Sequence, residues 1–439
     1  LDLVFDIMRL MEEAGHGAMV SLMILDIVDA FWLIPLRFNE RKFFVFRCAG
    51  EYYVYNSTAQ GSRGGPLTWA AVMDLTARLV QSTFTTIHST TTEKTIKQPL
   101  RLQTYVDDPA MAIMGSATKA RRHMAQYIVT MMILGYPLAF HKAQTGKKVK
   151  WIGMNIEIRL HDVLVTIPAD KIKELKEIVQ NMMATNVIAK RDLKSLAGKG
   201  AQIASIIFAW RPMVSELYGA LKSQGGQQPK NTVWKTQINH TLHWLQAFLR
   251  GKVGTLQRVF RPAAHFNRTT LIDITTDASP WGLGAVLVID GVPRSFLHCL
   301  ITPLDEQILN TPKGSADGQQ TWEALIVLVS LRIWSAYWRQ DRCALRVRSD
   351  NVAALAMVAN MKAEGAARKL IARELALDIA EATYRPDVLE HIPGPANVWA
   401  DRLSRLGEPG KQYAIPGELA NTTEEVPPYR SRSWWRSLP

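Results

Sequence analysis

Two adjacent aspartates, Asp107 and Asp108, interrupt an otherwise apolar stretch of the sequence, LQTYVDDPAMAIMG at residues 102–115. Two like charges between predicted buried strands are costly, because burial penalises each charge and the carboxylates repel each other. A polar hairpin turn would explain the pair without any chemistry. A third acid, Asp26, lies in SLMILDIV (21–28), an apolar run that predicts a buried strand ending at this carboxylate.

These three carboxylates can come together if the strand that ends at Asp26 lies beside the turn at 107–108 in an antiparallel sheet. Such a cluster is unfavourable unless divalent cations neutralise it, and oxygen ligands favour Mg²⁺. Two such ions, about 3.5–4 Å apart, can activate an attacking hydroxyl and stabilise a leaving pyrophosphate. The pattern therefore indicates a two-metal site.

Four further acids mark the ends of separate predicted elements in the C-terminal part of the chain. Asp277 lies in the strand TLIDITTDAS and Glu323 in the helix QQTWEALIVLVSLRIW. Asp350 ends the strand CALRVRSD, and Asp401 begins the helix ADRLSR. Convergence of these acids at one edge of a sheet would create a second two-metal site, suited to hydrolysis.

The charge of the chain is unevenly distributed around these acids. Its 439 residues are enough for two to four domains and carry a net charge of +13. Residues 161–269 hold 16 basic and 6 acidic side chains, a net charge of +10. This concentration favours a polyanionic partner, most simply nucleic acid, over a basic protein with no such partner.

Three widely separated cysteines, Cys48, Cys299 and Cys343, form no CxxC pair. Their spacing argues against a disulfide framework or a structural zinc site and fits a reducing compartment. The sequence shows no signal peptide and no apolar run near the ~20 residues that span a bilayer. We therefore expect an intracellular, cytoplasmic protein with no membrane partner.

Several motifs resemble those of retroelement reverse transcriptases and occur in the same order. DIVDAF (26–31), QGSRGGP (60–66) and YVDD (105–108) resemble motifs A, B and C. GYPLAFHKAQTGKKVKWIGMNI (135–156) resembles motif D followed by the primer-grip hairpin. TDAS, WEAL, SDN and HIPGPANVWADRLSR resemble the ribonuclease H motifs of gypsy-type and DIRS-like retrotransposons.

The resemblance implies roles for the first group of acids and for one aromatic residue. Asp26 and Asp107 would hold the metal ions, with Asp108 assisting. Phe31 would be a steric gate that packs where a ribose 2′-hydroxyl would lie and so favours dNTPs. The alternative for Phe31 is a simple core aromatic.

Five further residues acquire polymerase roles from the same resemblance. Gln60 would contact the incoming nucleotide, and Gly61 would let the backbone approach it. Lys142 is the motif D candidate for steering or protonating pyrophosphate, although several lysines lie nearby. Trp151 and Gly153 would lie in the primer grip, with a core position as the alternative for Trp151.

The C-terminal acids match the acidic quartet of ribonucleases H. The resemblance implies that Asp277, Glu323, Asp350 and Asp401 hold the ions of that second site. His391 has the spacing of a product-release histidine, ten residues before Asp401. Because it precedes a rigid Pro-Gly turn, we favour a structural role for His391.

The implied fold is α+β and multidomain. A polymerase palm with a ferredoxin-like βαββαβ sheet is followed by a helical thumb, a connection and an α/β ribonuclease H-like domain. The expected boundaries are 1–160 for the palm with partial fingers, 161–225 for the thumb, 226–268 for the connection, 269–410 for ribonuclease H and 411–439 for a basic, aromatic, disordered tail.

The expected function is RNA-directed DNA synthesis coupled to cleavage of the RNA strand in RNA–DNA hybrids. The cofactor would be Mg²⁺, two ions per site, with Mn²⁺ as a substitute. The partners would be an RNA template, a DNA primer, the hybrid and dNTPs, in the cytoplasm, the nucleus or retroelement particles. Only 25 residues precede Asp26, so a hybrid-specific ribonuclease lacking polymerase fingers is one alternative. A decayed remnant that binds nucleic acid without catalysis is the other.

Overall fold

A computed structural model of the chain describes residues 1–84, 86–89, 94–222, 229–262, 266, 270–338, 343–381 and 388–438. The chain forms two compact units, Leu1–Pro168 with Val259–Pro262, and Ala169–Arg258 with Ala263–Pro439. The expected palm boundary at 160 lies close to the end of the first segment. The expected boundaries at 225–226 and 268–269 fall outside the described residues.

Both units contain helices and strands. The helices are α1 (Asp2–Ala14), α2 (Gly65–Ser82), α3 (Ala117–Ile133), α4 (Ala169–Met183), α5 (Lys190–Ala204), α6 (Arg211–Lys222), α7 (Asn239–Leu249), α8 (Pro303–Leu309), α9 (Gln319–Ile333), α10 (Ser335–Trp338), α11 (Val352–Asn360), α12 (Ala366–Glu381) and α13 (Val398–Ser404). The strands are β1 (Val20–Ile24), β2 (Val45–Cys48), β3 (Glu51–Val54), β4 (Thr86–Ser89), β5 (Lys94–Lys97), β6 (Leu100–Tyr105), β7 (Asp108–Met114), β8 (Gln144–Gly146), β9 (Lys148–Trp151), β10 (Met154–Ile158), β11 (Val163–Thr166), β12 (Val187–Ala189), β13 (Thr232–Trp234), β14 (Gln257–Phe260), β15 (Leu271–Ala278), β16 (Gly282–Ile289), β17 (Val292–Leu300), β18 (Ala344–Ser349), β19 (Val388–His391) and β20 (Thr423–Glu424).

The first unit is built on an antiparallel sheet with the strand order β6-β7-β1-β8. β1 is apolar on both faces because it is central in this sheet and contacts both α1 and α3. α2 and α3 contribute Trp69, Met73, Tyr127 and Met131 to the core beneath the sheet. The pairing of β1 with β7 brings the end of β1 next to the turn between β6 and β7.

The second unit contains a six-stranded mixed sheet with the order β19-β18-β15-β16-β17-β20. β15 pairs antiparallel with β16 and parallel with β18, so two acid-bearing strands run side by side in the same direction. α9 packs on β15 and is buried along nearly its whole length, because its sequence is apolar on all sides. The mixed composition of both units confirms the predicted α+β class.

The C-terminal segment differs from the expected disordered tail. Residues 411–438 pack on the second unit, and β20 pairs with β17 in the sheet. Arg430 is buried and forms two hydrogen bonds with the carboxylate of Asp305, 2.8 and 2.6 Å long. Trp435 is buried as well. The expectation of disorder was wrong because the charges and aromatics of this segment have partners that lie far away in the sequence.

Within the described residues, no helix combines the length and the apolar character needed to cross a bilayer.

Candidate active sites

The first acidic site forms where β1 leaves the sheet next to the turn between β6 and β7. The backbone N–H of Leu25 donates to the carbonyl of Pro109 (3.2 Å), and that of Ile27 donates to the carbonyl of Asp107 (2.9 Å). These two bonds fix the intervening Asp26 opposite the YVDD turn. The structure therefore places Asp26, Asp107 and Asp108 together.

The three carboxylates of this site interact electrostatically. Burial, the charge of Asp107 and a side-chain hydrogen bond with Asp26 raise the pKa of Asp108 to about 6. A raised carboxyl pKa means that the surroundings oppose the negative charge. A divalent cation among these oxygens would reverse this effect, so the acids have the chemistry of a metal site.

Lys142 supplies a positive charge to the same site. It lies in the 3-10 turn Phe140–Lys142, and its Nζ donates to Asp26 Oδ2 at 2.7 Å. This hydrogen bond raises the pKa of Lys142. The turn is held to Asp26 because the N–H of Ala139 donates to the carbonyl of Asp26 at 2.9 Å.

Two indole groups hold the backbone of the YVDD turn. Trp69 Nε1 donates to the carbonyl of Val106 at 2.6 Å, and Trp151 Nε1 donates to the carbonyl of Asp108 at 3.1 Å. Val106 has a φ of 55°, a left-handed conformation that is strained for a β-branched residue. Trp69 was missed by the sequence analysis, because a tryptophan in an amphipathic helix resembles any core residue.

The remaining predicted polymerase residues lie on three other elements of the first unit. Phe31 is half-buried in the 3-10 turn Ala30–Leu33, and its ring centre lies 6.4 Å from that of Trp69. Gln60 and Gly61 are exposed in the loop before α2, and Gly61 has a φ of 87°. Gly153 lies at the tip of the β9–β10 hairpin with a φ of 66°.

The second acidic site lies at the ends of β15 and β18. The parallel register pairs Thr275 with Arg348, so two residues further along Asp277 and Asp350 lie side by side. Glu323 reaches the same place from α9. One ligand oxygen from each of Asp277, Glu323 and Asp350 lies within 4.8 Å of the others.

Hydrogen bonds from α13 and from the residue before it fix Asp277. Ser404 Oγ donates to Asp277 Oδ2 at 2.6 Å, and Asn397 Nδ2 donates to Asp277 Oδ1 at 3.3 Å. Burial nevertheless raises the pKa of Asp277 to about 7, although the Ser404 bond opposes the shift. The sequence analysis did not single out either donor, although both lie in the quoted ANVWADRLSR stretch.

Glu323 has one satisfied and one unsatisfied oxygen. Its Oε1 accepts hydrogen bonds from Gln319 Nε2 (2.9 Å) and from the N–H of Ala278 (3.3 Å). Its Oε2 is buried, with no hydrogen-bond partner in the described part of the chain. Burial and the charges of Asp277 and Asp350 raise the pKa of Glu323. An unpaired buried carboxylate oxygen beside two other acids fits a divalent cation.

The other two predicted residues lie next to this group of three acids. Asp401, in the first turn of α13, raises the pKa of Asp277 and that of Asp350 by its charge. Its own Oδ1 accepts a 2.7 Å hydrogen bond from Arg405 Nε. His391 is exposed at the end of β19, with its Nε2 3.1 Å from the carbonyl oxygen of Asp350.

The comparisons with known proteins concern the first of these two sites. Residues 5–156, which contain the YVDD turn and Asp26, match the family described as Reverse transcriptase (RNA-dependent DNA polymerase). The match covers about a third of the chain. The first acidic site and the β9–β10 hairpin up to Ile156 lie within the matched residues.

Solved structures similar to the chain include two foamy viral proteins. One is a foamy viral protease-reverse transcriptase dRH in complex with double-stranded DNA, at 14% identity and a TM-score of 0.43, covering 85% of this chain and 56% of that one. Another is a foamy viral protease-reverse transcriptase in complex with an RNA/DNA hybrid, at 14% identity and a TM-score of 0.40, covering 86% and 45%. The chain thus spans about half the length of these proteins. No curated protein matches the chain.

Proposed function

We propose that this chain copies an RNA template into DNA at the first acidic site and cleaves the RNA strand of the resulting hybrid at the second. The proposal depends above all on the position of Asp26 opposite Asp107 and Asp108, within the residues that match the reverse transcriptase family. The partners would be the RNA template, a DNA primer, dNTPs and the RNA–DNA hybrid. The strongly basic residues 161–269 are suited to the phosphates of such a duplex.

In the polymerase reaction, the primer 3′-hydroxyl attacks the α-phosphorus of a dNTP, a new P–O bond forms, and pyrophosphate leaves. Mg²⁺ would be held by Asp26 and Asp107 with help from Asp108, and it would supply charge stabilisation for the attacking and leaving oxygens. Lys142 carries its positive charge on a flexible chain next to Asp26, which suits contact with the departing pyrophosphate.

Substrate selection would depend on residues around the turn. Phe31 would exclude a ribose 2′-hydroxyl from its side of the nucleotide, and Gln60 with Gly61 would contact the nucleotide from the loop before α2. Trp151 joins the proposed primer grip to the catalytic turn, because its indole donates to the carbonyl of Asp108. Gly153 at the hairpin tip would let the primer backbone approach closely.

In the ribonuclease reaction, a water oxygen attacks an RNA phosphodiester and the 3′-oxygen leaves. Mg²⁺ held by Asp277, Glu323, Asp350 and Asp401 would lower the pKa of that water and stabilise the charge on the phosphate. Ser404 and Asn397 orient Asp277 for this role. The 2′-hydroxyl distinguishes the RNA strand from DNA. His391 would act through the backbone beside Asp350 and not on the phosphate.

Two substitutions in the full chain test the two-site proposal. Asp107→Asn should lower primer extension by at least about a hundredfold, since several kcal/mol of charge stabilisation are lost, while hybrid cleavage stays unchanged. Asp350→Asn should have the opposite pattern. Asp74→Asn, an exposed acid on α2, is the control and should change neither activity. The proposal is wrong if either site variant loses both activities while its circular dichroism and melting temperature stay normal.

A further inference from the structure

Charged side chains of alternating sign extend from the second acidic site along α13 and the residues after it. Arg405 Nε donates to Asp401 Oδ1 at 2.7 Å, and Arg405 Nη1 lies 3.6 Å from Glu408 Oε2. Glu408 in turn forms an ion pair with Lys411, with 2.6 Å between Oε1 and Nζ. The guanidinium is thus placed between Asp401 and an acid outside the site.

The charge of Arg405 acts on the buried acids as well as on Asp401. Its positive charge attracts the carboxylates of Asp277 and Asp350, whereas the charge of Asp401 repels both. An isolated ion pair four residues apart on a helix is usually only a weak surface contact. Arg405 differs from such a pair because its partner is one of the four acids and because its field reaches two others.

Asp401 is also the acid that lies outside the group formed by Asp277, Glu323 and Asp350. Those three acids have their ligand oxygens close together and include the unpaired Oε2 of Glu323. They can receive one divalent cation as they stand. A second cation that binds Asp401 through Oδ1 has to replace the guanidinium there, and one that binds through Oδ2 is repelled by the same positive charge.

We propose that Arg405 is a positioning residue that occupies Asp401 in the metal-free protein and weakens the binding of the second divalent cation. This inference rests on the proposed ribonuclease site. Two cation affinities follow from it, a tighter one for the three-acid group and a weaker one that is set by the competition at Asp401. Occupancy of the second position would then depend on the free Mg²⁺ concentration or on a substrate phosphate that draws Arg405 away.

Calorimetric titration of Mn²⁺ into the full chain tests this inference without an activity assay. The titration uses the Asp26→Asn and Asp107→Asn background, so that the first acidic site does not contribute. We expect two binding steps, and Arg405→Gln should tighten the weaker step about tenfold, because one positive charge a few ångströms away is removed. Arg405→Lys keeps the charge and should stay close to the unsubstituted protein.

Two controls separate this effect from a general change in charge or fold. Arg402→Gln removes an exposed positive charge from α13, three residues before Arg405, and should change neither step more than twofold. In an Asp401→Asn background, Arg405→Gln should have no further effect, because Arg405 acts through Asp401. If the second binding step is unchanged or weaker in a folded Arg405→Gln protein, the proposed role of Arg405 is wrong, but the ribonuclease proposal is unaffected. Failure of Mn²⁺ to bind the unsubstituted second site overturns the ribonuclease proposal as well.

Discussion

At the scale of single residues, the YVDD turn depends on two indole N–H groups as well as on its acids. Trp69 binds the carbonyl of Val106, whose backbone is in the strained left-handed region, and Trp151 binds the carbonyl of Asp108. A strained residue persists only where its surroundings hold it. The tryptophans therefore contribute to the precise position of the two aspartates.

Replacement of Trp69 tests this interpretation. Trp69→Phe keeps an aromatic ring in the core but leaves the Val106 carbonyl without its donor, which costs about 1–3 kcal/mol of stability. We expect about a tenfold slower single-turnover primer extension, because the aspartates lose part of their fixed geometry. Trp234→Phe, at an exposed tryptophan of the second unit, should change neither quantity. Unaltered extension by Trp69→Phe would show that the turn keeps its shape without the indole.

The raised pKa of Asp277 predicts a pH effect in the metal-free protein. The pKa of its carboxyl is about 7 in the folded protein, whereas 3.8 is the ordinary value in an unfolded chain. Between these values the folded state binds more protons, so this group's contribution to the free energy of unfolding falls as the pH rises from about 4 to about 7. The upper bound of the loss is about 4 kcal/mol.

Urea denaturation at several pH values in the presence of a chelator measures this effect. Asp277→Asn should remove the fall in the free energy of unfolding that this carboxyl causes. The variant should then be more stable than the unsubstituted protein near pH 7 but not near pH 4. Mg²⁺ should restore the stability of the unsubstituted protein at pH 7 and leave the variant less affected. Parallel curves for the two proteins would contradict the burial of a costly charge at Asp277.

At the scale of elements, the β9–β10 hairpin shows how a turn sets the direction of two strands. Ile152 and Gly153 form its two-residue loop, and both have positive φ, 45° and 66°. Loops of this kind match the right-handed twist of the flanking strands. Trp151 ends β9 immediately before the loop, so the loop conformation decides where its indole points.

Gly153→Ala should destabilise the first unit by about 1 kcal/mol, because a Cβ is unfavourable at this φ. Gly198→Ala is the matched control. Gly198 lies inside α5 with open space around an added Cβ, so the same change should stabilise the protein by up to about 1 kcal/mol. Urea denaturation followed by tryptophan fluorescence measures both. Equal effects at the two positions would contradict the conformational argument.

The elements could be predicted from sequence better than the contacts between them. The apolar run at 21–28 predicted β1, and the acids predicted which strand ends meet. In contrast, Trp69 with Val106 and Lys142 with Asp26 are separated by 37 and 116 residues. No local pattern encodes such partners. The acid quartet was predicted as one set; the structure brings the ligand oxygens of three of these acids together, and Asp401 is paired with Arg405 beside them.

At the scale of the whole molecule, the C-terminal segment is part of the second unit. The Arg430–Asp305 pair is buried on both sides, and Asp305 also accepts hydrogen bonds from the backbone and side chain of Thr302 at the start of α8. Ser437 binds the buried carboxylate of Glu374 through its N–H and its hydroxyl, both at 2.6 Å. The segment thus satisfies buried charges in two places.

Removal of one partner of the buried pair should be strongly destabilising. Arg430→Ala leaves the Asp305 charge buried without its cation, and we expect a loss of about 3–5 kcal/mol. Arg432→Ala, at an exposed arginine of the same segment, should cost less than about 0.5 kcal/mol. Thermal and urea denaturation give both values. A small effect of Arg430→Ala would indicate that this segment is only loosely attached to the second unit.

The pairing of β20 with β17 has a practical consequence for anyone who handles fragments of this protein. Without residues 423–424, β17 would be left with unsatisfied peptide groups along its outer margin, a known template for uncontrolled self-assembly. A recombinant fragment of the second unit that stops soon after Asp401 keeps all four acids yet loses this cover. Precipitation of such a fragment would then reflect a badly chosen end point and not an inactive protein.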